Sequence, residues 1–273
     1  MLKQMKACKK FEVISIKGAI IGDIIGSIYE FNNYQGNIND FSLFTPYNFF
    51  TDDTVATLAI CKAQLEEKEP NEVDYAKNLW TFCRKYPDLS YGGRFNKWLQ
   101  QNPPRPYHSF GNGAAMRISS IPYFYKNNLD KAIKQTLCAT RISHNHEESY
   151  KAVSSLIEII WGLNNGKKSV YDIKDCAQDY YGELPPITRI EFDETCQGTM
   201  PICYSIILNS NSFEEAMRIA VGVGGDTDTI CAIVGSMAEP LFGIPKEIES
   251  KMWNYLDDDM KKIIEKFEKE VKC

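Results

Sequence analysis

Apolar residues recur along most of this chain at three- and four-residue intervals, the spacing that gathers them on one face of a helix; strict alternation is confined to residues 11–17 (FEVISIK). The pattern predicts a short strand at 11–17. Helices are predicted over 18–29, 53–68, 72–85, 92–100, 113–125, 129–140, 146–164, 170–181, 196–208, 213–223, 227–242 and 246–269, the last interrupted near Asp257. Such a chain belongs to the all-α class. The helix at 18–29 intersperses Gly18, Ala19, Gly22, Gly26 and Ser27 among isoleucines, a composition that disfavours an isolated helix but lets another helix approach closely, so it should be central and buried. Asp23 stands beside Ile20, Ile21, Ile24 and Ile25. A carboxylate there needs a hydrogen-bond partner or a cation, and both a structural and a site role are open to it.

The chain has 273 residues, 44% of them hydrophobic, enough for a sizeable core, and no linker or composition shift divides it, which favours one domain. A formal charge of -5 with dispersed lysines argues against a general nucleic-acid binder. Lys3, Lys6, Lys9 and Lys10, like the run from Lys261 to Lys272, read as solvated faces. Nine cysteines lack Cys-x-x-Cys spacing, and Cys61, Cys138, Cys203 and Cys231 sit in apolar runs, as reduced core thiols do. No apolar run reaches the roughly 18 residues of a membrane span and no signal peptide is evident, so neither a membrane nor a stable nucleic-acid partner is expected and a cytoplasmic location is.

Two acidic clusters carry the candidate chemistry. Gly224-Gly225-Asp226-Thr227-Asp228-Thr229 follows a Gly-Gly turn at a helix start, and Thr51-Asp52-Asp53-Thr54 opens another helix. Each alone is a good helix N-terminus; together they suggest one site, and the aromatic run Tyr47 to Phe50 is expected to bury the second cluster. Two carboxylates about 4 Å apart repel by roughly 4 kcal/mol at an effective dielectric near 20, so a buried group of them requires protons or cations. Carboxylates and hydroxyls without His or Cys favour Mg²⁺ or Mn²⁺ over Zn²⁺.

Other motif readings fail on context. An EF-hand needs an oxygen ligand and a Gly where this chain has Ile230 and Cys231. A dehalogenase-like phosphatase needs a doubly wound sheet after its nucleophile, and too little chain follows Asp228. Ser109-Phe-Gly-Asn-Gly-Ala-Ala-Met-Arg117 lacks the third Gly of a dinucleotide fingerprint, yet could offer backbone N–H groups to an anion at the start of the 113–125 helix; a plain cap, with Arg117 in a salt bridge, is the alternative. Ser143-His-Asn-His146 lies between two helices, as a cap or as a ligand-binding element.

From Gly18 to Leu256 the chain resembles the ADP-ribosylglycohydrolases. The likeness rests on Gly18-Ala-Ile-Ile-Gly-Asp-Ile-Ile-Gly-Ser27 with Glu30, Phe50-Thr-Asp-Asp-Thr54, Gly111-Asn-Gly-Ala-Ala-Met-Arg117, Ser143-His-Asn-His146, Cys196-Gln-Gly-Thr-Met-Pro201 and Gly224-Gly-Asp-Thr-Asp-Thr229, in family order. The resemblance implies an all-α orthogonal helical bundle forming a catalytic domain over 18–273, after an N-terminal extension at 1–17. It also implies two Mg²⁺ or Mn²⁺ ions held by Thr51, Asp52, Asp53, Asp226, Asp228 and Thr229, with Asp228 as the bridge. Glu30, Asp52 and Asp53 are the candidate catalytic carboxylates, and Gly111, Asn112, Gly113, Ala114, Ala115, Met116, Ser143 and His144 would border ADP-ribose. The implied activity is metal-dependent hydrolysis of an N- or O-glycosidic ADP-ribosyl bond on a protein side chain or small molecule; a non-catalytic ADP-ribose-binding module is the rival. Relatives usually carry Pro-Glu-Gly after the second histidine, where this chain has Glu147-Glu148-Ser149.

Overall fold

Local signals set most helix boundaries in the computed structural model, which describes residues 15–272. Asn71 and Asp74 form a capping box at the start of α3 (Glu72–Cys83), and Ser169 and Asp172 form another at α8 (Val170–Tyr181). Thr51, Asn128, Thr195 and Ser212 accept a first-turn N–H at the starts of α2 (Asp52–Glu66), α6 (Leu129–Arg141), α9 (Cys196–Leu208) and α10 (Phe213–Val223). The remaining helices are α1 (Lys17–Gly26), α4 (Gly93–Leu99), α5 (Ile121–Phe124), α7 (Glu147–Asn164), α11 (Thr227–Phe242), α12 (Lys246–Met252) and α13 (Asp258–Lys272). Among the described residues there is no strand, only two isolated bridges, Gly111 with Thr195 and Ile190 with Gly224. The fold is all-α.

Residues 11–14 of the predicted strand lie outside the described residues, as do Lys3, Lys6, Lys9 and Lys10; residues 15–17 are not extended, since Lys17 already opens α1. The predicted helix at 113–125 is also corrected. Residues 112–114 form a single 3-10 turn and α5 begins only at Ile121. Pro122 lacks an N–H and in a continuous helix would meet the carbonyl of Ile118, so it favours the first turn of a new helix, where it stands. The long C-terminal helix breaks, as expected, between Met252 and Asp258.

The core is organised around α1 and α11. Every residue of α1 is buried, as is every residue of α11 from Thr227 to Glu239. Their backbones nearly touch: a Cβ on Gly22 would lie 2.0 Å from the Cys231 carbonyl oxygen, and one on Gly26 would lie 2.5 Å from Asp228 Cα. This contact fixes the N-terminus of α11, with its acidic cluster, against Asp23 on α1. Seven cysteines among the described residues are free thiols, six of them buried, and no helix there is long and apolar enough to cross a membrane.

At the other end of the same pair, Glu239 of α11 is buried and accepts the Gly18 N–H at 2.8 Å. Burial raises its pKa from 4.5 to about 7, against the opposing hydrogen bonds from Gly18 and Ser15. Between those values the native state holds a proton that the unfolded chain has lost. Stability therefore falls as pH rises through this window, and the loss is complete above it. Glu239→Gln keeps an acceptor for Gly18 and removes the titration. Its stability relative to wild type should improve by on the order of 3 kcal/mol between about pH 5 and pH 8, measured by thermal or denaturant unfolding; a difference independent of pH would contradict this.

Candidate active site

The Gly224-Gly225 turn aims the first acidic cluster. Both glycines have positive φ, 76° and 73°, a conformation that side chains strain. Asn33 braces the turn, accepting the Gly225 N–H at 3.0 Å and donating to the Gly225 carbonyl at 3.0 Å. Asp226 does not cap α11 as its position suggested. Its Oδ2 instead accepts from Asn112 Nδ2 at 2.7 Å, and Asn112 Nδ2 also donates to Thr199 Oγ1 at 3.0 Å. Asn112 is thus a positioning residue for Asp226, and the Cys196–Pro201 motif acquires a role through Thr199.

Asp52 and Asp53 project from the first turn of α2, and Asp23 supports them from behind. One Asp23 oxygen accepts the Thr51 N–H (2.9 Å), the Thr54 N–H (3.1 Å) and the Thr54 hydroxyl; the other accepts the Thr51 hydroxyl at 2.6 Å. Thr51 accordingly points at Asp23 rather than into the open cleft. Thr229 donates to Asp53 Oδ2 at 3.2 Å, and Ser90 donates to Glu30 at 3.3 Å. In the aromatic run before α2, Tyr47 is 81% exposed and Phe49 46%, so neither covers these acids, whereas Asn48 is buried and Phe50 packs against the core.

Carboxylate oxygens of Asp23, Asp53 and Asp228 lie within 4.8 Å of one another, and so do those of Glu30, Asp226 and Asp228. Asp228 belongs to both groups. Asp53 Oδ1 and Asp228 Oδ1 are buried without a hydrogen-bond partner. Burial, then the neighbouring carboxylates, hold Asp52, Asp53 and Asp228 well above the usual carboxylate range. Burial and Asp226 raise Glu30 to about 7. Asp23, more deeply buried, is raised only to about 6 because its four donors favour the charged form. A concentration of orphaned, mutually repelling oxygens with no thiol or imidazole among them fits a hard divalent cation.

These groups floor a cleft of about 360 Å³. Glu30, Asp52, Asp53, Asp226, Asp228 and Thr229 line it together with Gly111, Asn112, Gly113, Met116 and His144. Ala114, Ala115 and Ser143 are buried away from the opening. The backbone donors of the 111–116 loop are largely spent within the protein: Gly111 N–H on Ser109 Oγ, Asn112 on the Glu194 carbonyl, Ala114 on Gly111, and Ala115 and Met116 on Asn112. Nor does Arg117 form a salt bridge. It is buried, and its Nη2 donates to Ser143 Oγ at 2.7 Å.

Ser143 Oγ also lies 2.8 Å from His144 Nδ1. A guanidinium only donates, so Ser143 Oγ accepts from Arg117, and it can pair with Nδ1 as donor or as acceptor according to the tautomer of His144. Burial, with Arg117 and Arg94 nearby, keeps this ring neutral. Nε2 faces the two glycines, 3.6 Å from where a Cβ on Gly111 would stand and 3.3 Å for Gly113. His146 is a helix cap, its Nδ1 accepting the Glu148 N–H at 3.1 Å. The unusual Ser149 is buried and donates to the Ser109 carbonyl at 3.0 Å, fixing the loop that leads into Gly111.

Sequence reasoning missed Ser90, Arg94, Phe31, Phe192, Glu194 and the brace Asn33. Gly92-Gly93-Arg94 at the start of α4 was a readable signal. Phe192 and Glu194 lie in an irregular loop where periodicity carries no information.

The ADP-ribosylglycohydrolase family model matches residues 15–272. Over 86% of its length the chain is 23% identical to the ADP-ribosylhydrolase ARH3 of Mus musculus, covering 84% of that protein. It is 20% identical to the ADP-ribosylarginine hydrolase Tri1 of Pseudomonas putida, over 88% of this chain and 74% of that one. A solved structure titled ADP-ribosylglycohydrolase-related protein complex superposes with a TM-score of 0.75 at 19% identity, covering 95% of this chain and 97% of that chain, and thus shares the fold. The helical architecture, the motif order and the match across nearly the whole chain lead to one conclusion: the protein belongs to the ADP-ribosylglycohydrolase family.

Proposed function

We propose that the protein is a divalent-cation-dependent hydrolase that releases ADP-ribose from a modified protein side chain or small molecule. The observation that carries this reading is the pair of three-carboxylate groups sharing Asp228 on the floor of the cleft, two of whose oxygens have no partner in the protein. Asp53, Asp228 and, by its hydroxyl, Thr229 would hold one Mg²⁺ or Mn²⁺, and Asp226 and Asp228 a second, beside Glu30. When bound, such ions supply charge neutralisation and Lewis acidity toward ribose hydroxyls and water. Thr51 belongs with Asp23 in the supporting layer that orients Asp53. That ARH3 and Tri1 are named as ADP-ribosyl hydrolases supports the reaction class.

The chain's own residues supply orientation and proton transfer. Asn112 and Thr229 hold Asp226 and Asp53 in place, while Arg94, Arg117 and His144, in the tautomer that carries its proton on Nε2, line the same cleft as donors for a diphosphate. Glu30, held by Ser90, is the carboxylate best placed as general base. It takes one proton from the attacking water as the water oxygen bonds to the anomeric carbon and the bond from that carbon to the acceptor nitrogen or oxygen breaks. The same proton passes to the departing heteroatom, and the other water proton stays on the new ribose hydroxyl.

A panel of arginine-, serine- and acetyl-linked ADP-ribosyl substrates tests the proposal, with free ADP-ribose quantified by chromatography. Release from at least one linkage is expected, and Glu30→Gln should slow it by about 10²- to 10⁴-fold while leaving ADP-ribose affinity nearly unchanged. Tight binding of ADP-ribose with no release from any linkage would instead make the protein a binding module.

A further inference from the structure

Thr199, in the first turn of α9, is buried and outside the cleft, yet two loops that line the cleft meet at its hydroxyl. Its Oγ1 donates to the Asp193 carbonyl at 3.3 Å and accepts from Asn112 Nδ2 at 3.0 Å. The same helix start holds both loops by their backbones. The Cys196 N–H donates to the Phe110 carbonyl at 2.9 Å, the Thr195 N–H to Asp193 Oδ1 at 2.8 Å, and the Asn112 N–H to the Glu194 carbonyl at 2.7 Å. Gly198 permits the close approach, since a Cβ there would overlap the Asp193 carboxylate.

With its backbone pinned in this way, Asn112 keeps only its side-chain torsions, and its neighbours decide which end of the amide points inward. A deprotonated Asp226 carboxylate only accepts, so Nδ2 faces it, at 2.7 Å. The Thr199 hydroxyl has a single proton, which goes to the Asp193 carbonyl, also an acceptor only, and this leaves a lone pair for the second N–H of Asn112. All four groups are satisfied at once. Without the hydroxyl, that second N–H would be buried with no acceptor, a state that rotation of the amide toward the open cleft relieves. Such a rotation takes the first N–H off Asp226 as well.

We propose that Thr199 is a positioning residue for the cation site at Asp226: by fixing the Asn112 amide it fixes the orientation of this carboxylate, and so the affinity for the second divalent cation. The inference rests on the two-cation reading above and deepens it. Asp53, on the side of the first cation, is held by Thr229 instead, so the effect of Thr199 should fall on one ion and spare the other.

Calorimetric titration of the chelator-stripped protein with Mn²⁺ reads this without turnover. Thr199→Val keeps the volume and removes the hydroxyl; it should weaken one of two ions by about ten- to a hundredfold, the loss expected for a hydrogen bond to a charged group, and leave the other near its wild-type affinity. Thr199→Ser should restore both. In the release assay, the Mg²⁺ concentration giving half-maximal turnover should rise by the same factor in Thr199→Val and stay at the wild-type value in Thr199→Ser. If the valine variant does not fold, Thr199→Ala carries the same expectation. Equal weakening of both ions would overturn the inference, as would unchanged binding in a folded Thr199→Val protein, which would reduce Thr199 to packing. A serine variant as weak as the valine one would also overturn it, by placing the effect in the methyl group. A wild type that takes up fewer than two ions would overturn the two-cation reading and this inference with it, whereas one that binds two ions and releases no ADP-ribose from any linkage would overturn the hydrolase reading alone.

Discussion

Replacing Asp228 by Asn should lower turnover by about a thousandfold or more while making the cation-free protein more stable than wild type. Asp228 is the carboxylate common to both acidic groups, so its loss impairs both candidate cation sites at once. Asparagine keeps the shape but removes a buried charge that burial, Asp53 and Asp226 all penalise. Without cations, wild type keeps these carboxylates folded only by retaining protons that the unfolded chain releases, a cost the variant avoids. Added Mg²⁺ should reverse the order. A ligand at 100 times its dissociation constant stabilises the native state by about 2.7 kcal/mol, and only wild type would gain it in full. Melting curves with and without Mg²⁺, run beside a turnover assay, check both parts. An Asp228→Asn protein with wild-type turnover would reduce Asp228 to a residue of the helix start.

The second large effect concerns the scaffold. Gly22→Ala should destabilise the protein by about 3 kcal/mol and lower its melting temperature by on the order of 10 °C. The new methyl would stand 2.0 Å from the Cys231 carbonyl oxygen and 2.8 Å from the Ala232 nitrogen, both backbone atoms of α11, so no side-chain rotation can relieve the clash. The two helices must separate. That loosens the isoleucine packing of α1 and shifts Asp23 relative to Asp228, so the variant should also lose cation affinity. Gly93→Ala is the control for stability, because nothing lies within 4 Å of its Cβ position. Thermal unfolding of both variants decides it: a Gly22→Ala protein that melts with wild type would mean the α1–α11 contact is less close than the structure has it.

Much of this architecture is legible in the sequence, for physical reasons that differ by element. The helices at 170–181, 196–208, 213–223 and 227–242 have the bounds that periodicity predicts, since each starts at a serine, threonine or aspartate and each ends at a glycine or asparagine. The glycines of α1 announced a close helix contact, though not its partner. Where prediction failed, the local pattern did not decide: Pro122 sits in the first turn of a new helix inside the expected 113–125 span, and Tyr47 faces solvent. The acidic residues were recognisable from their motifs. Their support was less so: Asn112 on Asp226, the four donors on Asp23, the Asn33 brace and the Arg117–Ser143–His144 relay join residues far apart in the chain, and no local pattern encodes such contacts.

The central claim is that the shared carboxylate cluster binds two divalent cations on which cleavage depends. It is tested most directly by stripping the protein with chelator and titrating Mg²⁺ or Mn²⁺ back while bound metal per chain and released ADP-ribose are measured together. The account predicts no turnover in the stripped protein and recovery that saturates as two ions bind per chain. Full turnover with no metal bound would contradict it.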